Sequence, residues 1–239
     1  EEKLDIIVLK KLELEIGIEP KLNTWKTFLS KLKNPKNSVK IGLVGKYVEL
    51  KDSYKSIAEG LIHAGAQNEC SVEVDWIHSE SIHADNASEK LSMLNGIIVA
   101  PGFGERGFNG KLAAVKYARE SKIPFFGICL GMQCAVVEFA QNVLGLSSSS
   151  IEIDDKTRHP VIDLMEDQKK IKDKGGTMRL GAYSCTLKEG SFAHKAYGSN
   201  QISERHRHRY EFNSAYKEEF EKAGMSEAGI NPETGLVEI

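Results

Sequence analysis

Between residues 38 and 145 short apolar runs alternate with stretches of helical periodicity, and no other property of the sequence narrows the fold as far. The runs VKIGLVG, SVEVDWI, GIIVAPG and PFFGICLG are separated by SYKSIAEGLIHAG, by a stretch around Ala87–Leu94 and by Gly110–Glu120, and are followed by MQCAVVEFAQNVLG. Apolar runs this short, bounded by Gly and Pro and spaced by helices, read as buried strands of a parallel sheet, because parallel neighbours need a crossover between them. The expected fold is α/β: a mostly parallel central sheet with helices on both faces and added antiparallel edge strands. Ligands should sit beyond the carboxyl ends of the parallel strands. The added strands are TMRLGAYSCTL and ERHRHRYEF, a late helix is expected near Tyr216–Lys222, and Ser147–Ser150 reads as a flexible loop.

Residues 1–37 have a different texture. They are Lys-rich, and Trp25, Phe28, Leu29 and Leu32 recur at helical spacing before Pro35 breaks the pattern. This segment is expected to be a linker or the end of a preceding domain, with the main domain over residues 38–239. The chain opens without Met and stops in an apparent strand at Leu236–Ile239, so residues are expected to be missing on both sides.

Lys plus Arg number 32 and Asp plus Glu 34, a balance of −2 that supplies no global field toward nucleic acid or an anionic membrane. The four cysteines, Cys70, Cys129, Cys134 and Cys185, form no C-x-x-C pair, which argues against a zinc ribbon or a thioredoxin-type couple and fits a reducing cytoplasm. No apolar run approaches the ~20 residues a membrane-spanning helix needs. No metal is expected.

Several local patterns carry chemistry. Gly42-x-x-Gly45-Lys46 lacks the spacing of a phosphate loop and has Tyr47 where that loop needs Ser or Thr, so its glycines are read as turn residues. Gly127-Ile128-Cys129-Leu130-Gly131 joins a strand to a helix, the pattern of a nucleophile elbow. Small neighbours suit a strained turn, and the following helix start favours a thiolate. A thiol pKa lowered from about 8.5 to about 6 would give a roughly thirtyfold gain in thiolate at neutral pH. The alternative is a buried structural cysteine. Pro101-Gly102-Phe103-Gly104 is either an ordinary turn or, beside the elbow, a source of oxyanion-hole amides together with the Leu130 N–H.

In Glu204–Tyr210 the arginines Arg205, Arg207 and Arg209 would share one face of a strand and His206 and His208 the other. No carboxylate stands at a spacing that would complete a metal site. An arginine that grips a carboxylate and a charged edge strand both remain open. His63, His78, His83 and His194 are read as structural and without partners, and Cys134 as core.

Taken together, VGKYVELKDSYKS, PGFGERG, GICLGMQ, GGTMRLGAY and ERHRHRYEFN resemble the glutamine amidotransferase domain of the CTP synthase family. GICLGMQ alone marks only the wider class-I, or triad, amidotransferases. The resemblance implies that Cys129 attacks the side-chain amide of L-glutamine, releases ammonia and forms a glutamyl thioester that water cleaves. It places Gly102 and Leu130 in the oxyanion hole, with Phe103 as the competing donor because the family pattern has one more glycine. Gly131, Met132 and Gln133 would line the glutamine pocket, Glu152 would hold the α-amino group and Arg209 the α-carboxylate, while Arg106 lies in the loop tied to GTP activation. The serine run is one residue short of the family loop, which bears on Glu152.

No cofactor is implied in this domain. The whole enzyme would use ATP, Mg2+ and GTP, aminate UTP to CTP in an amino-terminal synthetase domain, and form a homo-oligomer, a tetramer. The family's catalytic His and Glu follow a Val-Glu-Ile strand, where this sequence ends, and His159-Pro160 is a different position; a chain complete as it stands is expected to bind glutamine weakly and turn it over poorly. Competing readings are an independent γ-glutamyl hydrolase and a non-catalytic regulatory module.

Overall fold

The computed structural model describes residues 3–17, 21–165, 168 and 178–239. They form two compact units, residues 1–38 with 57–72 and residues 39–56 with 73–239. The first unit holds helices α1 (Leu4–Lys11) and α2 (Asn23–Lys33) and most of α3 (Lys55–Gln67). The helical spacing read in residues 25–32 is that of α2, where Trp25 stacks on Phe28 at 5.4 Å and Phe28 meets the His63 ring edge-on. Pro35 accounts for the stop, since the residue before a proline is pushed out of helical backbone.

The second unit is built on a four-stranded sheet of order β2-β1-β3-β4, from β1 (Asn37–Gly45), β2 (Cys70–His78), β3 (Gly96–Val99) and β4 (Phe125–Gly127). β1 pairs with β3 and β3 with β4, both parallel, with Leu43 opposite Ile98 and Ile98 opposite Phe126. Between them run α4 (Ala87–Leu91) and α5 (Phe108–Ser121), and α6 (Leu130–Asn142) follows β4. Val44, Val99, Ala114, Leu130, Val137 and Ala140 are fully buried, and burial of each larger side chain contributes about 1.5–3 kcal/mol. Arg119 on α5 forms a bidentate pair with Glu138 on α6, with Nε–Oε2 at 2.9 Å and Nη2–Oε1 at 2.8 Å. This pair fixes the helix that carries the elbow.

The remaining strands make two three-stranded sheets. One, of order β5-β6-β9, comprises β5 (Ser148–Ser150), β6 (His159–Leu164) and β9 (Tyr210–Phe212). The other, of order β10-β7-β8, comprises β7 (Arg179–Leu187), β8 (Gln201–His208) and β10 (Gly229–Ile230) and is antiparallel. Gly175–Thr177 of the GGTMRLGAY motif lie outside the described residues. Two short helices, α7 (Phe192–Tyr197) and α8 (Lys217–Ala223), complete the unit, α8 falling where the late helix was expected.

The serine run is not a flexible loop. Ser148–Ser150 is a strand paired parallel with His159–Ile162, and Ser148 and Ser150 are buried. Small hydroxyl side chains fit under α6, where Gln141 donates to the Ser148 carbonyl and the Ser150 hydroxyl accepts the Glu152 N–H. Among the described residues no helix is long and apolar enough to cross a membrane.

Candidate active site

The chain turns from β4 into α6 at Cys129, whose backbone sits at φ 55°, ψ −110°. That positive φ is costly for a residue with a side chain, and the surroundings enforce it. A Cβ on Gly127 would lie 2.5 Å from the Gly131 carbonyl carbon, and one on Gly131 would lie 2.1 Å from the Val99 carbonyl oxygen. Both glycines are therefore required by close backbone approach, as the Gly-x-Cys-x-Gly pattern implied. Gln133 N–H donates to the Cys129 carbonyl at 3.1 Å and closes the first helical turn.

The backbone amides of Leu130 and Gly102 both point at the Cys129 sulfur and favour its ionised form. Within the 101–104 loop it is the Gly102 amide that favours the Cys129 anion. Burial outweighs these donors and holds the Cys129 thiol above its ordinary value, while Lys111 pulls it down and Glu152 pushes it up. The lowered thiol pKa expected from the helix start is thus absent in the free site. Withdrawal from water penalises the anion more than two amides and a lysine favour it. Cys134 is core, as expected, with its thiol pushed up to about 12 by burial. All four cysteines are free thiols.

Glu152 accepts the Gly104 N–H at 2.8 Å, and its charge opposes ionisation of the Cys129 thiol. The Arg209 side chain reaches the Tyr210 hydroxyl, whose pKa is raised first by burial and then by Glu152. Gln133 is buried and donates Nε2–H to the Tyr210 carbonyl at 3.0 Å, which ties the elbow helix to this corner. Glu152 and Arg209 thus act in opposite directions on the Tyr210 hydroxyl, the carboxylate raising its pKa and the guanidinium lowering it. Met132 lines an apolar cavity of about 120 Å³ with Ala135, Val136, Phe212 and Phe220. Arg106 is exposed, with its guanidinium 5.1 Å over the Tyr47 ring and 3.8 Å from Glu80.

The Glutamine amidotransferase class-I family model matches residues 49–238. The chain belongs to the class-I glutamine amidotransferase family. Over its full length it is 60% identical to a CTP synthase of Flavobacterium johnsoniae and 62% identical to one of Cytophaga hutchinsonii. It spans 45% and 44% of the lengths of those relatives. Among solved structures it is similar to the CTPS glutaminase domain of Trypanosoma brucei with bound acivicin, at 37% identity and a TM-score of 0.76, covering 82% of this chain and 76% of that one.

The amidotransferase fold also gathers groups that the sequence did not connect. His206 and His208 meet Glu238, a carboxylate 30 residues beyond His208 that local spacing could not reveal. Arg179 lies against this group, with its Nη1 3.0 Å from Glu211 Oε1, 3.4 Å from Glu238 Oε2 and 3.5 Å from His208 Nε2. The guanidinium also sits 4.3 Å over the Tyr183 ring. Three histidines expected to lack partners have them: His63 meets Phe28, His78 caps the Glu80 N–H, and His194 accepts the Gly190 N–H. Lys46, Lys111 and Tyr210 are site neighbours that sequence reasoning missed. A lysine's role behind a loop leaves no local pattern when the loop lies 57 residues away.

Proposed function

We propose that this chain is the glutaminase part of a CTP synthase and that Cys129 is its nucleophile. The observation that carries this reading is the Cys129 sulfur held on a positive-φ elbow and faced by the Gly102 and Leu130 amides. In the proposed reaction the thiolate adds to the side-chain carbonyl of glutamine, and the carbonyl oxygen becomes an oxyanion held by those two N–H groups. Collapse of the tetrahedral adduct breaks the C–N bond, and the departing nitrogen takes up a proton to leave as ammonia. Water then adds to the thioester, and glutamate and the free thiol are restored. Among the described residues no histidine is hydrogen-bonded to Cys129, so the base that carries the protons is not assigned to a group touching the sulfur.

Glu152 and Arg209 would bind the α-amino and α-carboxylate groups, and Gly131 and Gln133 would support the pocket wall. In the proposed whole reaction the ammonia aminates UTP in a synthetase domain that uses ATP and Mg2+. Arg106, stacked on Tyr47 at the surface, is the proposed contact for the GTP effect. The relatives of about twice the length and the acivicin-bound neighbour support this reading. The test is release of glutamate from glutamine by the whole protein and by its Cys129→Ala variant. Loss of release in the variant is expected; equal release by both would contradict the assignment.

A further inference from the structure

Lys46 is buried, with 6% of its surface exposed, and Lys111 is fully buried. Among the described residues neither ammonium forms an ion pair with a carboxylate. The Lys111 Nζ donates to the Ala100 carbonyl at 2.9 Å. The Lys46 Nζ donates to the carbonyls of Phe103 and Gly104, the latter at 3.3 Å. Burying two cations side by side is unfavourable unless fixed dipoles hold them, and here the dipoles are all carbonyls of one five-residue segment, Ala100–Gly104.

The amides of that segment face the other way. Gly102 N–H points at the Cys129 sulfur, and Gly104 N–H donates to Glu152. A peptide unit is planar and trans, so gripping its carbonyl and its N–H from opposite sides fixes its orientation. The Phe103–Gly104 peptide is gripped in this way, by Lys46 at the oxygen and Glu152 at the nitrogen. The Ala100–Pro101 peptide is held at its oxygen by Lys111. The Pro101–Gly102 peptide, whose N–H faces the nucleophile, lies between these two fixed units. Gly102 itself packs against both lysines: a Cβ there would stand 3.7 Å from Lys111 Nζ and from Lys46 Cε.

We infer that Lys46, supported by Lys111, is a positioning residue that aims the Gly102 amide at the oxygen of the tetrahedral adduct by pinning the neighbouring peptide carbonyls. This gives a function to the Gly-x-x-Gly-Lys stretch that fits no phosphate loop, and it rests on the glutaminase reading of the site. Lys46 touches neither the sulfur nor the substrate in this scheme. Its removal loosens an oxyanion donor and leaves the thiol in place.

The experiment compares glutamine hydrolysis with alkylation of Cys129 by iodoacetamide, a direct displacement at carbon that forms no oxyanion, in the whole protein and in Lys46→Met. A misaimed oxyanion donor is expected to lower kcat roughly 100-fold, with KM changed by less than about threefold. The Gly102 amide is only one of the groups that favour the thiolate, so iodoacetamide alkylation should slow by less than about threefold, far less than hydrolysis, and Lys46→Arg, which keeps the charge and the donors, should recover part of the lost kcat. If Lys46→Met fails to melt cooperatively, Lys46→Gln is read in its place. An active parent with equally active Lys46 variants would overturn the inference, as would alkylation and hydrolysis falling together. A parent that hydrolyses no glutamine would overturn the glutaminase reading and this inference with it.

Discussion

The surroundings of Cys129 and those of Arg179 both bury charge, and they neutralise it in opposite ways. Around Arg179 the charges pair with one another, Arg179 with Glu211 at 3.0 Å and Glu238 at 2.7 Å, and the rings of His206 and His208 lie 3.3 Å from Glu238 and 2.8 Å from Glu211 respectively. Around Cys129 the lysines are spent on backbone carbonyls, while the loop's N–H groups face a thiol and a carboxylate. The first arrangement is complete by itself and joins β7, β8 and β9 to the segment at Glu238. The second keeps donors aimed at a place where negative charge can develop. Buried charge marks a reactive site when its partners leave directed groups unspent, and a structural one when they do not.

That contrast can be broken at either end. Cys129→Ala should abolish glutamine hydrolysis, a loss on the order of 10⁵-fold, while unfolding free energy in denaturant stays within about 1 kcal/mol. Arg179→Met should do the reverse. It strands Glu211 and Glu238, each about 95% buried, and should cost about 3–5 kcal/mol in a denaturant titration while the Cys129 alkylation rate per folded molecule holds. Gly131→Ala drives a Cβ into the Val99 carbonyl and should cost about 2 kcal/mol, with loss of activity through distortion of the elbow.

Two pH profiles sharpen the difference. Burial, with Arg179 and His208, lowers the pKa of His206 from its usual 6.5, against the upward pull of Glu238 and Glu211. A lowered histidine binds its proton more readily in the unfolded chain. Its contribution is therefore intact above pH 6.5 and lost as pH falls through the lower folded value. His206→Gln should flatten that acidic loss in a stability-against-pH series. At Cys129 the direction is opposite, and the alkylation rate should still be climbing above pH 9, because burial holds the thiol above its ordinary value.

The elbow was legible in the sequence because its cause is local. Gly127 and Gly131 flank Cys129 at fixed offsets and the strand and helix around them have distinct periods. The parallel sheet was legible for the same reason, through runs such as Gly96–Val99 and Phe125–Gly127. What escaped depends on distant pairs. Ser148–Ser150 is a strand only because His159–Ile162 lies beside it. Lys46 acts on Phe103 and Gly104, and Glu238 meets His206, across separations that no short pattern encodes. The thiol's ionisation was misjudged because a helix start can be named from sequence while the depth of burial that opposes it cannot.

The decisive measurement is mass mapping of the protein after treatment with a glutamine-derived chloroketone, with and without excess glutamine. A single adduct on Cys129, formed saturably and blocked by glutamine, is the result expected of a thiol held beside amino-acid-binding groups. No adduct, or one spread over Cys70, Cys134 and Cys185 without protection by glutamine, would contradict it.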